Sequence, residues 1–236
     1  MLRDQQKRVA VVTGGAGGIG SVVVRRLAGE GMRVALVTTD TKKIHRFPAS
    51  LRTHIRIFSS DVTNEESVRS LFDEVSAVYR RVDVVVNTVG GYLPTTPLEQ
   101  MTAESWDRMM RVNLRSAFLV TREAIRRMKP RHRGHIINFS ALGGLRPAAG
   151  RIPYAISKMG VSLMTQVLAE ELRGSGIVVA AIAPGTVNTA ANRTWGSPKD
   201  IRGWITTKEI AEAVVYLCSP LAAPASGATL VMAGKP

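Results

Sequence analysis

The stretch Val9-Ala-Val-Val-Thr-Gly-Gly-Ala-Gly-Gly-Ile-Gly20 joins a run of apolar residues to a cluster of glycines near the start of the chain. Residues 9–12 are predicted to form a strand that is buried on both faces, because their apolar character is continuous rather than alternating. A helical pattern follows at residues 19–30. Between a strand and a helix, such glycines let the backbone approach a pyrophosphate at the N-terminus of the helix. The stretch therefore predicts a dinucleotide site.

Strand and helix patterns alternate along the whole chain, which is typical of a parallel sheet with helices on both faces. Strands are predicted at residues 9–12, 33–37, 54–58, 82–86, 135–139, 177–183 and 228–232. We therefore expect one doubly wound, Rossmann-type α/β domain with a seven-stranded parallel sheet over residues 1–236. Residues 186–204 are polar and irregular in pattern, and we expect them to form a short substrate lid.

Helix signals occupy the segments between these strands. Thr63-Asn-Glu-Glu66 and Thr206-Thr-Lys-Glu209 have the pattern of capping boxes, and each is predicted to start a helix. Longer helices are predicted at residues 103–128 and 153–173. Pro48 limits helix formation in the crossover before the third strand, which we expect to be short or irregular.

The composition of the 236 residues, of which 45% are hydrophobic, is that of a globular protein. No apolar run approaches the length of a membrane helix, and the N-terminus lacks the apolar segment of a signal peptide. The single Cys218 excludes an internal disulfide, and no residues have the spacing of a metal-ligand cluster. We therefore expect a cytoplasmic protein without a metal.

The formal net charge of +14 is unusual for an enzyme and attracts anions of every kind. It fits a phosphorylated cofactor, an anionic substrate or carrier, nucleic acid, or a basic surface that is simply solvated. The densest group of cations is Arg126, Arg127, Lys129, Arg131 and Arg133, at the predicted end of a helix, where cations are favoured in any case. Aromatic residues that could stack on bases are not interleaved with it, which disfavours nucleic acid.

Tyr154-Ala-Ile-Ser-Lys158 places a phenol and an ammonium on one face of a predicted helix. There the ammonium can lower the pKa of the phenol, which is about 10 when unperturbed. A tyrosine tuned in this way can pass a proton to or from a carbonyl or alcohol oxygen. Together with the glycine-rich turn, the pair suggests hydride transfer with a nicotinamide cofactor.

The order and spacing of these and further motifs resemble the short-chain dehydrogenases/reductases over nearly the whole chain. The resemblance implies an NAD(P)-dependent oxidoreductase acting on a small carbonyl or alcohol. It implies a cofactor site formed by Gly14, Gly18, Ile19, Gly20, Thr38, Thr39, Asp61, Val62, Asn87, Gly90, Tyr154, Lys158, Pro184, Gly185, Val187 and Thr189. In it, Asp61-Val62 would contact adenine, and Asn87-Thr-Val-Gly90 is an altered form of the family's Asn-Asn-Ala-Gly signature. Pro184-Gly185, with Val187 and Thr189, would hold the nicotinamide carboxamide and the pyrophosphate.

The same resemblance implies the catalytic roles. Tyr154 would be the general acid in reduction and the general base in oxidation. Lys158 would lower the pKa of Tyr154 and hold the nicotinamide ribose. Asn113, in Val-Asn-Leu, would position a water that links Lys158 to solvent.

One position departs from the family. The family's substrate-orienting Ser lies thirteen residues before the Tyr, and counting back from Tyr154 gives Ala141, whereas Ser140 is one residue earlier. Neighbouring residues on a strand point to opposite faces, so the offset matters. Either a one-residue insertion lets Ser140 serve, as Gly143 three residues later would fit, or Ala141 holds the position and the Ser is absent. The ungapped run Gly144-Leu-Arg-Pro147 favours an absent Ser.

The end of the second strand bears on the choice between NADP(H) and NAD(H). NAD-preferring relatives place an acid at this point, and here it is Thr38 in Thr38-Thr-Asp-Thr-Lys-Lys43. Two hydroxyls and nearby lysines would suit a 2′-phosphate, so NADP(H) is favoured over NAD(H). Two features favour NAD(H) instead: Gly17 stands where many NADP-using relatives have a basic residue, and Asp40 could reach the ribose.

Two branches of the family suggest alternative substrates. The Ser-less arrangement resembles the dihydropteridine reductases, and Tyr92, Trp195 or Trp204 could stack on a flat pterin ring. The basic residues 126–133 leave room for a carrier-bound acyl substrate, as in the similar 3-oxoacyl carrier-protein reductases. A different class of function is a catalytically weak NADP-binding interaction module. The resemblance also implies a homotetramer or homodimer built on the helices at 103–128 and 153–173.

Overall fold

The structure of the chain is a computed structural model that describes residues 8–42, 47–146 and 148–235. Lys43, Pro147 and the N-terminal residues 1–7, in which the sequence shows no apolar segment of a signal peptide, lie outside the described residues. The strands are β1 Val9–Thr13, β2 Arg33–Thr38, β3 Ile55–Ser59, β4 Val84–Asn87, β5 Gly134–Phe139, β6 Ile177–Pro184, β7 Val187–Asn188, β8 Ile205–Thr206 and β9 Thr229–Met232.

The helices between them are α1 Gly20–Gly29, α2 Ala49–Arg52, α3 Glu65–Tyr79, α4 Ala103–Met109, α5 Ser116–Met128, α6 Leu142–Leu145, α7 Ile152–Glu171, α8 Pro198–Gly203 and α9 Thr207–Leu217. A π-helical turn, Met110–Arg115, joins α4 to α5. Short 3-10 helices occur at Leu98–Gln100, Lys129–Arg131, Asn192–Thr194 and Pro220–Ala225.

A seven-stranded parallel sheet in the order β3-β2-β1-β4-β5-β6-β9 forms the centre of the molecule. Each of the seven strands expected from the sequence is present, with its ends shifted by two residues or fewer. The prediction of a single doubly wound α/β domain is therefore confirmed. β7 and β8 pair separately as a two-stranded parallel ribbon.

The core lies in two layers, one on each face of the sheet. Val12 on β1 packs with Val24 and Leu27 of α1, whereas its neighbour Val11 packs in the opposite layer with Phe72 of α3. Alternate residues of one strand therefore belong to different layers, which explains why β1 is apolar throughout. Burying each such side chain contributes about 1.5–3 kcal/mol to folding.

The long helix expected at residues 103–128 is interrupted. It consists of α4, the π-helical turn and α5. A π turn accommodates one extra residue, and such turns occur frequently at functional sites. Here the turn contains Asn113, whose amide it directs into the interior of the molecule.

The two predicted capping boxes have different outcomes. The box at Thr206 and Glu209 is confirmed, since both of its reciprocal hydrogen bonds are present at the start of α9. The box at Thr63-Asn-Glu-Glu66 is wrong. The N-cap of α3 is Asn64, whose side chain accepts a hydrogen bond from Ser67 N–H at 2.9 Å. The Thr63 hydroxyl instead donates to the carboxylate of Asp61 at 2.8 Å, so it does not cap the helix.

The segment 186–204 is more ordered than its composition suggested. It contains β7, a 3-10 turn and α8, which begins with a capping box formed by Ser197 and Asp200. β7 pairs with β8, so both ends of the segment are fixed by backbone hydrogen bonds.

Candidate active site

The candidate site lies where the chain changes direction across the sheet. From β1 the chain proceeds outward to β2 and β3, and then returns to place β4 on the other side of β1. In open α/β sheets, ligands bind in the crevice beyond the carboxyl ends of the strands at such a point. The glycine-rich turn follows β1 and the 87–90 segment follows β4, so the expected motifs share this edge.

The glycine-rich turn is closed so tightly that side chains would not fit. Gly14 has φ +63°, and a Cβ on Gly20 would overlap the carbonyl of Gly14. A Cβ on Gly18 would lie 3.0 Å from the methyl carbon of Thr189, so this turn touches the segment after β6. Among the described residues, the backbone N–H groups of Gly18 and Ile19 have no acceptor. Such a cradle before α1 fits the pyrophosphate of a dinucleotide.

The residues expected around the adenosine lie at the ends of β2 and β3. The hydroxyl of Thr38, at the end of β2, accepts a hydrogen bond from Asp40 N–H at 3.1 Å, and Thr39 is exposed beside it. The Asp40 carboxylate accepts one from Lys42 N–H at 3.2 Å. Asp61 is exposed after β3.

The carboxylate of Asp61 accepts two hydrogen bonds from Thr63, from its N–H at 2.9 Å and from its hydroxyl at 2.8 Å. Val62 between them is buried. The end of β2 therefore carries the hydroxyls of Thr38 and Thr39 rather than an acid. The nearest acid, Asp40, accepts a hydrogen bond from Lys42 N–H within its own turn.

Lys158 lies on α7 with only 6% of its surface exposed. Its ammonium donates a hydrogen bond to the carbonyl oxygen of Phe139 at 2.9 Å. Burial lowers the pKa of Lys158 to about 8. A Cβ on Gly90 would lie 3.0 Å from this ammonium nitrogen and 3.1 Å from the amide oxygen of Asn113, so the two groups approach the loop after β4 from different helices.

Tyr154 lies one turn before Lys158 on α7. Burial raises the pKa of Tyr154, the neighbouring phenol of Tyr92 raises it further, and the positive charge of Arg151 lowers it. Lys158 is not among the causes of this shift, and its effect on the pKa of Tyr154 stays a prediction. Its ammonium is directed to Phe139, and Arg151 supplies the positive charge that acts on the phenol.

Asn113 holds the loop after β4 against α7. Its amide oxygen accepts a hydrogen bond from Gly91 N–H at 2.7 Å, and its amide nitrogen donates to the Gly91 carbonyl at 3.1 Å. The same nitrogen donates to the hydroxyl of Ser157 at 3.0 Å. Gly91 and Ser157 were not identified from the sequence as site residues, and their only signal was adjacency to Gly90 and Lys158.

Asn87, expected at the cofactor, directs its side chain into the sheet. Its amide nitrogen donates to the hydroxyl of Thr121 at 3.1 Å and to the amide oxygen of Asn138 at 2.9 Å. Asn138 in turn donates to Thr165 on α7 at 3.0 Å. The geometry therefore supports a role in joining β4, β5 and the two helices rather than a direct cofactor contact by this amide.

Ser140 and Ala141 follow β5 and differ in their surroundings. Ser140 is 2% exposed, and its hydroxyl donates to the carbonyl oxygen of Lys158 at 2.8 Å and accepts from Ser162 at 2.8 Å. Ala141 has an extended backbone, so its methyl group points away from the side on which Ser140 makes these contacts. The hydroxyl of Ser140 is therefore engaged in hydrogen bonds to buried groups of the protein.

The segment after β6 also reaches this edge. Gly185 N–H donates to the Met232 carbonyl at 2.8 Å, which fixes the end of β6, at Pro184, against β9. Val187 is buried, and the hydroxyl of Thr189 accepts from Asn192 N–H at 3.2 Å. Thr189 is the residue that faces Gly18 across the crevice.

The aromatic residues considered for ring stacking are engaged with one another. The rings of Trp195 and Trp204 lie 4.9 Å apart in a tilted arrangement, and a Cβ on Gly196 would overlap the Trp204 ring. The ring of Tyr92 packs edge-on against Tyr154 with centroids 5.0 Å apart. Tyr92 is therefore the aromatic residue of the three that contacts the tyrosine of the site.

The basic residues 126–133 lie at the opposite edge of the sheet, because they precede the amino end of β5. Arg126 pairs with Glu123 at 2.6 Å, Arg127 pairs with Asp73, and Arg131 lies 3.4 Å from Asp83. Three of the five cations therefore have a carboxylate partner, and the group lies at the edge of the sheet opposite the glycine-rich turn. A carrier-bound substrate stays a prediction.

The described parts of the chain hold no group of three or more His, Cys, Asp or Glu side chains placed to bind a metal ion. Within the same ranges, no helix is both long enough and apolar enough to cross a membrane.

Comparisons with known proteins agree with this geometry. A family model described as short chain dehydrogenase matches residues 8–200. The D-threitol dehydrogenase of Mycolicibacterium smegmatis is 33% identical over 239 residues, covering 96% of this chain and 92% of that protein. Among solved structures, ElxO with NADP bound has a TM-score of 0.90 at 25% identity, over 96% of this chain and 97% of that one. An NAD+-bound xylitol dehydrogenase has a TM-score of 0.88 at 25% identity, over 97% and 98%. The chain is therefore an oxidoreductase that belongs to the short-chain dehydrogenase/reductase family.

Proposed function

We propose that the protein reduces small carbonyl compounds, or oxidises the corresponding alcohols, with NADP(H) as cofactor and Tyr154 as the acid or base. The convergence of Tyr154, Lys158 and Asn113 beside the glycine-rich turn carries this proposal. Lys158 is the most telling member, because its buried ammonium has no carboxylate partner among the described residues. A buried charge costs folding free energy, and groups with strongly shifted pKa values are concentrated at functional sites.

Proton transfer is the chemistry that this chain's own residues would perform. Burial raises the pKa of Tyr154, so the phenol is protonated at neutral pH and suits a general acid for reduction. Tyr154 would donate its proton to the substrate oxygen, and in oxidation it would take the proton back. Asn113 would keep the loop after β4 in place through its two hydrogen bonds to Gly91. A bound nicotinamide dinucleotide supplies the hydride.

The residues that would hold the dinucleotide follow from the edge they share. Gly14, Gly18, Ile19 and Gly20 would receive the pyrophosphate at the start of α1. Lys158 would reach the nicotinamide ribose, and the segment from Pro184 to Thr189 would lie along the nicotinamide. Asp61 and Val62 would lie at the adenine. Segment 186–204 would then act as a lid over the substrate, since Thr189 already touches Gly18.

Preference for NADP(H) is supported by the residues after β2. Thr38 and Thr39 offer hydroxyls where an acid would repel a 2′-phosphate, and Lys42 is exposed nearby. Asp40 accepts the backbone N–H of Lys42, which favours its own turn over a ribose contact. Both kinds of complex occur among the similar structures, since ElxO has NADP bound and the xylitol dehydrogenase has NAD+.

A second candidate substrate is a quinonoid pterin. The observation that favours it is the interior position of the Ser140 hydroxyl, which is consistent with Ala141 occupying the place of the family's Ser. An enzyme without that hydroxyl needs another way to orient its substrate, and a flat ring against Tyr92 would provide one.

The protein would act as a homo-oligomer. α7 exposes Ile156, Met159, Leu163 and Val167 along one face, and α5 exposes Phe118. Apolar residues aligned at helical spacing form a continuous surface of the kind that marks protein interfaces. A second copy of the chain is the proposed partner, in a homodimer or homotetramer.

The experiment that tests the function compares the wild-type protein with Tyr154→Phe. Nicotinamide fluorescence would be followed during titration with NADPH and NADH, and turnover would be measured on small aldehydes, ketones and a quinonoid dihydropterin. We expect tighter binding of NADPH than of NADH. We expect Tyr154→Phe to lower turnover by about 10²- to 10⁴-fold, because the acid is lost, while NADPH binding stays within about twofold.

The alternatives give different results. Binding of NADPH without turnover of any compound by the wild-type protein would favour a catalytically weak interaction module. Turnover of the pterin alone would favour the second candidate. Equal turnover by Tyr154→Phe and wild type, or failure to bind either dinucleotide, would refute the proposed function.

A further inference from the structure

A small pocket of about 170 Å³ lies beside Tyr154, where the loop after β4 meets the segment that leads into α7. Thr96 N–H donates to the Gly150 carbonyl at 2.9 Å and so joins the two walls. Gly150 has φ +71°, and a Cβ at this position would overlap the methyl group of Thr95. The pocket is therefore held by backbone contacts, and Tyr154 belongs to its lining.

Among the described residues that line this pocket, Arg151 alone is charged. The others are apolar, such as Leu93 and Met101, or carry a neutral hydroxyl or amide, such as Thr96 and Gln100. A lone cation in a cleft with neutral walls creates a positive potential that attracts anionic substrates.

Arg151 is exposed to solvent, and its guanidinium stacks on the ring of Tyr92. Its guanidinium carbon lies 5.5 Å from the centroid of the Tyr92 ring, and that ring packs edge-on against Tyr154. The cation, Tyr92 and the reactive phenol therefore form one row. Stacking of this kind fixes a guanidinium while leaving its N–H groups available for a carboxylate.

Like the exposed Arg69, Arg151 is one of several arginines of the described chain that form no ion pair, whereas others are paired. Arg81, Arg122 and Arg126 each form an ion pair with a carboxylate at 2.7 Å or less. Arg151 makes no ion pair or hydrogen bond to a carboxylate in the part of the chain that the structure describes. In a chain with a net charge of +14, an unpaired arginine is ordinary on the surface, but this one stands next to the proposed acid.

We propose that Arg151 makes the enzyme selective for short carbonyl substrates that carry a carboxylate, namely keto acids and the corresponding hydroxy acids. The guanidinium binds the carboxylate in the pocket, and the reacting carbonyl lies at Tyr154. In reduction the carbonyl carbon gains a hydride and its oxygen gains a proton, while the carboxylate is unchanged. Anchoring by Arg151 orients the substrate in place of the hydroxyl that Ala141 lacks. This inference rests on the proposed function.

The test measures kcat/KM with NADPH for matched acids and esters: pyruvate, acetoacetate and levulinate, each against its methyl ester. We expect wild type to prefer the acids by roughly tenfold or more. Arg151→Gln should lower kcat/KM for the acids by roughly 10- to 100-fold relative to the esters, the value of a hydrogen bond to a charged group, because the effect of the lost charge on Tyr154 is common to both. Arg151→Lys should be intermediate, because it keeps the charge but loses the two-pronged contact.

A matched control separates this contact from the general charge of the molecule. Arg69 on α3 is exposed and lies outside the lining of the pocket, so Arg69→Gln removes the same charge elsewhere. It should leave the ratio between acid and ester unchanged. NADPH binding, followed by fluorescence, and the melting temperature should be the same in wild type and Arg151→Gln.

Different results would refute the role of Arg151 and the proposed function. Equal use of acids and esters by the wild type, or an equal loss for both in Arg151→Gln, overturns the role of Arg151 and leaves the oxidoreductase proposal intact. Failure of the wild type to bind NADPH, or to turn over any carbonyl compound, overturns both.

Discussion

Ser140 and Ala141 are adjacent in the sequence but have opposite surroundings. The hydroxyl of Ser140 connects the end of β5 to the Lys158 carbonyl and to Ser162. Ala141, directed away from these contacts, has no group that could bond a substrate oxygen. The spacing from Tyr154 left two interpretations open, and these hydrogen bonds favour the one in which the Ser is absent.

A pair of substitutions distinguishes the two interpretations. Ser140→Ala should lower the free energy of unfolding by about 1–3 kcal/mol, because it leaves buried polar groups unpaired, and should not change turnover per folded molecule. Ala141→Ser should raise kcat on neutral ketones by on the order of tenfold, because it adds a donor near the developing oxyanion. Urea unfolding and steady-state assays with NADPH measure both effects. Loss of turnover in Ser140→Ala at unchanged stability would instead identify Ser140 as the missing hydroxyl.

Pairing of individual side chains was the part of the site that the sequence predicted least well. The four-residue spacing of Tyr154 and Lys158 follows from helix geometry, so their common helix could be predicted. The partners of Lys158 and Asn113 depend on which loop packs against that helix, and local spacing does not contain this information. Asn87 is the clearest case. Its position in a motif predicted a contact with the cofactor, whereas its amide donates hydrogen bonds to Thr121 and Asn138 inside the molecule.

At the scale of elements, the strands were predictable for a physical reason. A parallel strand covered by helices on both faces must be apolar at every position, as in residues 9–12, and such runs are easy to recognise. The π turn between α4 and α5 was not predicted, because one extra residue hardly changes the helical period of the flanking apolar positions. The capping box predicted at Thr63 is absent because the hydroxyl of Thr63 donates its hydrogen bond to the carboxylate of Asp61.

The exposed face of α7 is the element with the most direct consequence for assembly. Met159 and Leu163 stand one turn apart on it, and Ile156 and Val167 extend the same face in both directions. Each fully buried leucine contributes about 1.5–3 kcal/mol, and in a symmetric interface every contact occurs twice. A face of this kind is expected to be covered by the same face of a second copy.

Leu163→Glu should therefore convert the oligomer to monomers or to a smaller assembly, because it would place charges in an apolar interface. Light scattering during gel filtration measures the mass. Leu98→Glu is the matched control, since Leu98 is 63% exposed, close to the 58% of Leu163, but lies in the loop after β4. A monomeric wild type, or an unchanged mass for Leu163→Glu, would contradict the proposed interface.

Across the whole molecule, the two edges of the sheet carry different chemistry. The carboxyl edge holds the glycine-rich turn and Tyr154. The amino edge holds a buried group in which Arg8 donates to the Cys218 carbonyl at 2.7 Å and lies 3.2 Å from His135. Asp83 lies nearby and pairs with Arg81. Sequence reasoning did not find this second group, because its members are up to 210 positions apart and belong to no motif.

His135 makes the stability of the molecule dependent on pH. Burial, with the charge of Arg8 as the next cause, lowers the pKa of His135 from 6.5 to about 4. Between pH 6.5 and about pH 4 the imidazole of His135 is protonated in the unfolded chain but neutral in the folded chain. The contribution of His135 is therefore fully present above pH 6.5 and is lost as the pH falls toward 4. The shift corresponds to a loss of up to about 3 kcal/mol.

His135→Gln isolates this contribution, because glutamine can still accept a hydrogen bond from Arg8 but does not titrate. Urea unfolding would be measured for both proteins from about pH 7.5 to about pH 4, at one protein concentration, since assembly also adds to apparent stability. Titration of the carboxylates, including Asp83, is common to both proteins and cancels in the difference. The wild type should lose up to about 3 kcal/mol more than the variant over this range. Parallel curves would mean that the pKa of His135 is the same in the folded and the unfolded protein. The positive charges of Arg8 and Arg133 would then have to be balanced by Asp83 to a greater extent than its pairing with Arg81 suggests.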